Sequence, residues 1–161
     1  MPFKKPKKNS LKNEEKKEII KVIESEIFTK EDLIVFLEEL SLIQNFIFQQ
    51  NISDRILREK LTPLGLWLAQ KLLSYPSEKG NNIINFLKEY FSKRPIAIIT
   101  LAFSPTSDIL KKISDWFLCH TKEKVILDIK VAPEILGGLI IEFKGKYLDL
   151  SLQKQIDKIF L

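Results

Sequence analysis

Cys119 and His120 are the single cysteine and single histidine of this 161-residue chain, and they are immediate neighbours. A thiolate–imidazole pair or a metal site needs both groups aimed at one point. Adjacent residues on a helix point about 100° apart, so these two do not readily share a proton or a ligand. With one histidine, a His-based metal cluster is out of reach. Glu14 with Glu15 and Glu38 with Glu39 are neighbouring acids on predicted helices, where carboxylates usually solvate a face instead of dividing acid and base roles. Gly137-Gly138 is not followed by the Lys-Ser/Thr pair that a phosphate-cradling loop requires. The expectation is a chain with no catalytic residue, no cofactor and no metal.

Binding to nucleic acid is the next chemistry to weigh, because the formal net charge is +5. Residues 1–12 hold Lys4, Lys5, Lys7, Lys8 and Lys12 and no acid, so these five lysines account for the whole excess and the remainder is balanced. A lysine arm with Pro2 and Pro6 can touch phosphates or anionic lipid. The preferred reading is a basic, solvated, disordered tail. A helix over 107–120 followed by a hairpin has the order of a winged helix, but Asp108 and Asp115 share its surface with Lys111 and Lys112, which disfavours a DNA groove.

Turn chemistry dominates the C-terminal third. Val125, Leu127, Ile129 and Val131 alternate with Ile126, Asp128 and Lys130, the period of a strand with one buried and one largely polar face. Pro133 stops it. Gly137 and Gly138 stand at the mouth of a second apolar run, Leu139 to Phe143, where paired glycines point to positive φ or a close backbone approach. Lys144-Gly145 fits a two-residue hairpin turn. After Asp149, Ser151 can N-cap a helix whose Leu152, Ile156, Ile159 and Phe160 lie on one stripe. Upstream, Ile96 to Phe103 reads as a strand covered on both faces, and Ser107 or Asp108 starts a helix with Ile109, Leu110, Ile113, Trp116 and Phe117 on one side.

The preceding part is helical throughout. Ile19, Ile20, Ile23 and Ile27 form one stripe, and Thr29-Lys30-Glu31-Asp32 has the form of a capping box opening a second helix through Ile47. Ser53 can cap a third helix, and Thr62-Pro63 opens a fourth. Residues 75–80 read as a loop before a fifth helix from Ile83 to Phe91. Ser92-Lys93-Arg94-Pro95 marks a boundary. The resulting organisation is a basic disordered arm (1–12), a helical bundle domain (13–92) and a small α+β domain (96–161). The fold class is therefore α+β, with the second domain ordered strand, helix, strand, hairpin, helix. No apolar run approaches the roughly 20 residues that span a bilayer, and no secretory signal precedes the body, so a cytoplasmic location is expected.

The run Ala97-Ile98-Ile99-Thr100-Leu101-Ala102-Phe103-Ser104-Pro105, with Val131 to Gly138 and Asp149-Leu150-Ser151, resembles the C-terminal domain of the delta subunit of F-type ATP synthases, called OSCP in mitochondria. Ala132 departs from that pattern, standing where the family usually has Asp before the Pro. The resemblance implies a non-catalytic peripheral-stalk subunit, held through its complex at the inner face of the cell membrane. It implies two partners: the N-terminal helix of an alpha subunit, gripped by the helical domain, and the C-terminus of the b-subunit stalk, met by the second domain. Pro133, Gly137, Gly138, Asp149 and Ser151 are then family-motif residues with turn and cap roles. Ile20, Ile27 and Phe28 are candidates for an apolar groove receiving the alpha helix, within an apolar set that also includes Phe36, Phe46 and Phe48. The competing reading is a non-enzymatic adaptor or nucleic-acid-associated module that uses the lysine arm.

Overall fold

Four-residue spacing of isoleucines makes the first helix, α1 (Asn13–Glu26), on which Ile19 and Ile23 are fully buried. Four more helices follow in the computed structural model: α2 (Lys30–Phe48), α3 (Asp54–Lys60), α4 (Pro63–Leu73) and α5 (Ser77–Ser92). Then come β1 (Ile96–Leu101), α6 (Ser107–Thr121), β2 (Ile126–Val131), a 3-10 turn at Pro133–Ile135, β3 (Leu139–Phe143), β4 (Lys146–Asp149) and α7 (Leu152–Phe160). The structure describes residues 13–48 and 53–160. The lysine arm and the Phe48 side chain lie outside the described residues. Helices followed by a small four-stranded sheet make the α+β class expected from the sequence.

The chain divides into two compact units. One holds the described residues through Glu26 together with Glu38–Glu89, the other Ile27–Leu37 together with the chain from Tyr90 onward.

In the helical unit, Leu40, Ile43, Leu68, Leu72, Ile83, Ile84 and Leu87 are essentially buried. Thr62 caps α4 by accepting from the Gly65 N–H at 3.2 Å, with Pro63 in the first turn. Lys71 pairs with Glu18 at 3.4 Å and Lys79 with Glu15 at 3.3 Å. Two sequence expectations need correction here. Glu39 does not solvate a face: it is 5% exposed, and its carboxylate accepts from both the Thr62 N–H and the Thr62 hydroxyl. The N-terminus of α4 supplies otherwise orphaned donors and a favourable dipole, which lets a charge sit there. A Cβ on Gly65 would come 2.4 Å from the Glu39 Oε2, so the glycine makes room for that carboxylate. Second, the expected loop 75–80 is mostly helix. α5 starts at Ser77, and the Gly80 N–H donates to the Pro76 carbonyl at 3.0 Å. Gly80 is no breaker here, since a Cβ would stand 3.0 Å from the Ile47 Cδ1 of α2, and close helix packing accounts for the residue.

In the sheet unit the strand order is β2-β1-β3-β4. β1 and β2 run parallel from Ile96 opposite Ile126, β1 and β3 antiparallel with Ile99 opposite Ile141, and β3 and β4 antiparallel with Ile141 opposite Leu148. The parallel pair needs a long crossover, which α6 provides. Ala97, Ile99, Leu101, Val125, Leu127 and Phe117 form the core, with Leu110, Ile113, Ile129, Leu139, Ile141 and Phe143 packed against it. Phe117 meets Phe143 edge-on at 5.3 Å.

Three readings shift. β1 is fully covered on one face only, because Ile96 is 45% exposed while Ile98 and Thr100 are half-buried. The alternation along β2 fails at both ends: Ile126 is as buried as Leu127, whereas Val131 is exposed. Trp116 points away from the core, where Ser114 and Phe117 take the inward positions, and instead stacks on His120 with ring centroids 4.3 Å apart. The His120 Nδ1 lies 2.7 Å from the Trp116 carbonyl oxygen, one turn back.

Candidate functional site

The glycine doublet and the start of the last helix meet. Ala132, Pro133 and Glu134 turn the chain out of β2, with the Ile135 N–H donating to the Ala132 carbonyl at 3.2 Å and the Leu136 N–H to the Pro133 carbonyl at 3.0 Å. Leu136 adopts φ 61°, a left-handed conformation that costs an ordinary side chain about 1–2 kcal/mol. Gly138 follows at φ 73°. There the doublet touches the segment that opens α7: the Leu152 N–H donates to the Gly137 carbonyl at 3.0 Å, and a Cβ on Gly138 would fall 2.2 Å from the Leu150 carbonyl oxygen. The two halves of the motif are separated in sequence because they are two sides of one contact.

Asp149 and Ser151 complete this knot. The Asp149 Oδ1 accepts from the Ser151 N–H at 2.9 Å, and the Ser151 hydroxyl accepts from the Lys154 N–H at 3.3 Å, capping α7. Ser151 is buried. Hydrogen bonds from the Ser151 side chain and then its N–H hold the Asp149 carboxyl below the usual carboxylate range, with Lys154 and Lys158 adding to the effect. Ala132 carries no side-chain acceptor, and the 3-10 turn accordingly has no side-chain cap. These contacts fix backbone geometry and transfer nothing. Among the described residues no group of three or more His, Cys, Asp or Glu is placed to hold a metal ion. Cys119 and His120 both sit exposed near the end of α6.

What the knot positions is α7. Its stripe of Leu152, Ile156 and Ile159 faces outward, Ile159 being 75% exposed, while the polar Gln153 is half-buried. Leu150 and Leu136, which enter the same knot, are also exposed. An amphipathic helix ordinarily turns its apolar stripe to the core, whereas here every α7 side chain from Leu152 to Ile159 except Gln153 is exposed, which leaves apolar surface uncovered among the described residues. Helical periodicity identifies such a stripe but carries no information on which way it faces. Nothing in the sequence singled out Leu136 and Leu150 either, since an isolated leucine in a turn has no signature.

The groove candidates differ in burial. Ile20 is half-buried on α1; Ile27 is 1% exposed, so its side chain is already covered; Phe28 is half-buried with the Lys124 ammonium 4.5 Å from its ring centre. Phe36 and Phe46 are buried. Among the described residues no helix is long and apolar enough to cross a membrane.

Comparison with known proteins completes the description. A family model described as ATP synthase delta (OSCP) subunit matches residues 70–160. The chain is similar to ATP synthase subunit delta of Fusobacterium nucleatum, 31% identical over 94 residues that cover 53% of this chain and 54% of that protein. It is similar to the mitochondrial ATP synthase peripheral stalk subunit OSCP of Mus musculus, 29% identical over 125 residues, or 73% of this chain and 58% of the relative. A third relative, the sodium-ion-specific ATP synthase subunit delta of Propionigenium modestum, is 29% identical over 79 residues, 48% and 45% of the two chains. The chain spans about half the length of the curated relatives it matches.

Proposed function

Because this chain belongs to the ATP synthase delta (OSCP) subunit family, we propose that it is a non-catalytic peripheral-stalk subunit that ties the catalytic head of an F-type ATP synthase to its b-subunit stalk. Its work is mechanical: holding the head against the torque of the rotor. The outward apolar stripe of α7 carries the reading, since a helix anchored at its base by the Gly137-Gly138 knot and presenting Leu152, Ile156 and Ile159 to solvent is built to receive another protein of the complex. The C-terminal end of the b stalk is the partner proposed for that strip. The N-terminal helix of the alpha subunit is proposed for the helical part over 13–92, with Ile20 and Phe28 as contact candidates. The resulting location is peripheral, at the membrane face that carries the catalytic head.

The test is a titration of the full chain with a labelled helical segment from the C-terminal end of a b stalk, read by anisotropy, and in parallel with a peptide of the alpha N-terminus, read by Trp67 fluorescence. Ile156→Asp and Ile159→Asp should weaken the b segment at least about tenfold, the cost of burying an unpaired charge, and leave the alpha peptide unaffected. Equal binding by parent and variants would remove α7 from the interface, and no saturable binding to either segment would remove the stator assignment.

A further inference from the structure

The corner between α1 and α2 does two things with the same few atoms. On the helix side, Thr29 and Asp32 make a reciprocal cap: the Asp32 N–H donates to the Thr29 hydroxyl at 3.1 Å, while the Asp32 Oδ2 accepts from the N–H groups of Thr29 at 2.9 Å and Phe28 at 3.2 Å. Both corner donors are thereby drawn toward α2. The Phe28 carbonyl is left pointing away from the helix, and it accepts from the Leu127 N–H at 2.9 Å. Thr29 and Leu127 form a parallel bridge, so the corner sits on the outer edge of β2 as one unit of an additional strand. Lys30 pairs with Asp128 at 3.0 Å, its partner only 23% exposed. The Lys124 ammonium lies over the Phe28 ring and also donates to the Ser114 hydroxyl of α6 at 3.0 Å.

We propose that residues 28–32 are a strap in which capping of α2 and closure of the β2 edge are thermodynamically linked. Whatever loosens the first turn of α2 frees the edge of the sheet, and whatever loosens that edge uncaps α2. The chain on either side of Ile27–Leu37 belongs to the helical unit. An edge strand left open is a site for unwanted pairing, and a strap that covers it protects that edge as well. Linkage of this kind is reciprocal: each end must affect the other by the same factor. The strap is a property of the chain alone and stands whether or not the stator reading does.

Amide hydrogen exchange on the full chain tests both directions. Asp32 touches the corner N–H groups and makes no contact with β2 in the bonds described above, yet Asp32→Ala should accelerate exchange of the Leu127 amide about fivefold or more. Asp128→Asn, made on the sheet side, should accelerate the Leu33 amide, which donates to the Thr29 carbonyl in the first turn of α2. The Ile99 amide on central β1 is the reference and should change less than either. The proposal is overturned if Leu127 exchange is unchanged in Asp32→Ala, or if Leu33 exchange is unchanged in Asp128→Asn. It is equally overturned if Ile99 accelerates by the same factor as the reporter amide, which would mean general destabilisation. If either variant fails to fold, the parent chain still decides: a Leu127 amide exchanging at the rate of an exposed, unbonded amide overturns the strap, and one protected beyond the first-turn amides of α7 supports it.

Discussion

Replacing Gly138 with alanine separates backbone strain from backbone collision. Gly138 and Gly145 have nearly the same conformation, φ 73° and 75°, but different surroundings. Around Gly145 a Cβ meets nothing within 4 Å, whereas at Gly138 it would lie 2.2 Å from the Leu150 carbonyl oxygen and 3.2 Å from the Ser151 Cα. Gly145→Ala should therefore cost only the conformational term, about 1–2 kcal/mol. Gly138→Ala must also push the α7 entry away from the turn, which threatens the Leu152–Gly137 and Leu150–Leu139 hydrogen bonds at about 0.5–1.5 kcal/mol each. The expected total is about 2–5 kcal/mol, a large share of the roughly 5–15 kcal/mol that holds a typical domain. Urea unfolding followed by Trp116 fluorescence, with Trp67→Phe as background, reads the sheet unit directly. Equal losses for the two alanine variants, within about 0.5 kcal/mol, would refute the claim that the glycine doublet is required by contact with the start of α7.

Glu39 and Gly65 should behave as one device: Gly65→Ala should be strongly destabilising in the parent and much milder beside Glu39→Ala, and thermal unfolding of the four chains of this cycle should show a coupling above about 1 kcal/mol. Glu39→Ala alone removes two hydrogen bonds to the exposed Thr62, each worth about 0.5–1.5 kcal/mol, and should cost about 1–3 kcal/mol in total. The Asp149 carboxyl is depressed in the folded chain, so its contribution is present above the unfolded value of about 3.9 and is lost as pH falls through the lower folded value. Asp149→Asn should therefore flatten the acid limb of a stability-against-pH profile measured by urea unfolding below about pH 4. Ala132→Asp offers the uncapped 3-10 turn an acceptor and should raise stability by about 1 kcal/mol, checked by the shift in urea midpoint.

Much of this fold was legible because its signals are local. Thr62-Pro63, the Thr29 to Asp32 box and Lys144-Gly145 each state a backbone geometry in the types of two to four residues, and the structure shows each of them: Lys144 and Gly145 both take positive φ, as a two-residue hairpin turn demands. What was not legible depends on distant neighbours. Glu39 looks like any surface acid until α4 is seen to aim its first N–H groups at it. Gly80 looks like a helix breaker until Ile47 is seen against it. Trp116 falls on the apolar side of α6 by spacing, yet Ser114 and Phe117 fill the inward positions. The site divides the same way: the turn and cap identities of Pro133, Gly138, Asp149 and Ser151 were readable one by one, but their meeting in a single knot and the outward stripe of α7 required the tertiary arrangement.

The ion pair of the strap joins residues 98 positions apart. At a ribosomal pace of about 5–20 residues per second, Lys30 waits on the order of 5–20 seconds before Asp128 is even made. Through that interval the nascent chain carries Ile27, Leu33 and Phe36, all buried in the finished protein, without the completed unit to which they belong. A holding chaperone would find its target there, early in synthesis, and slower translation of the second half should raise the demand for one.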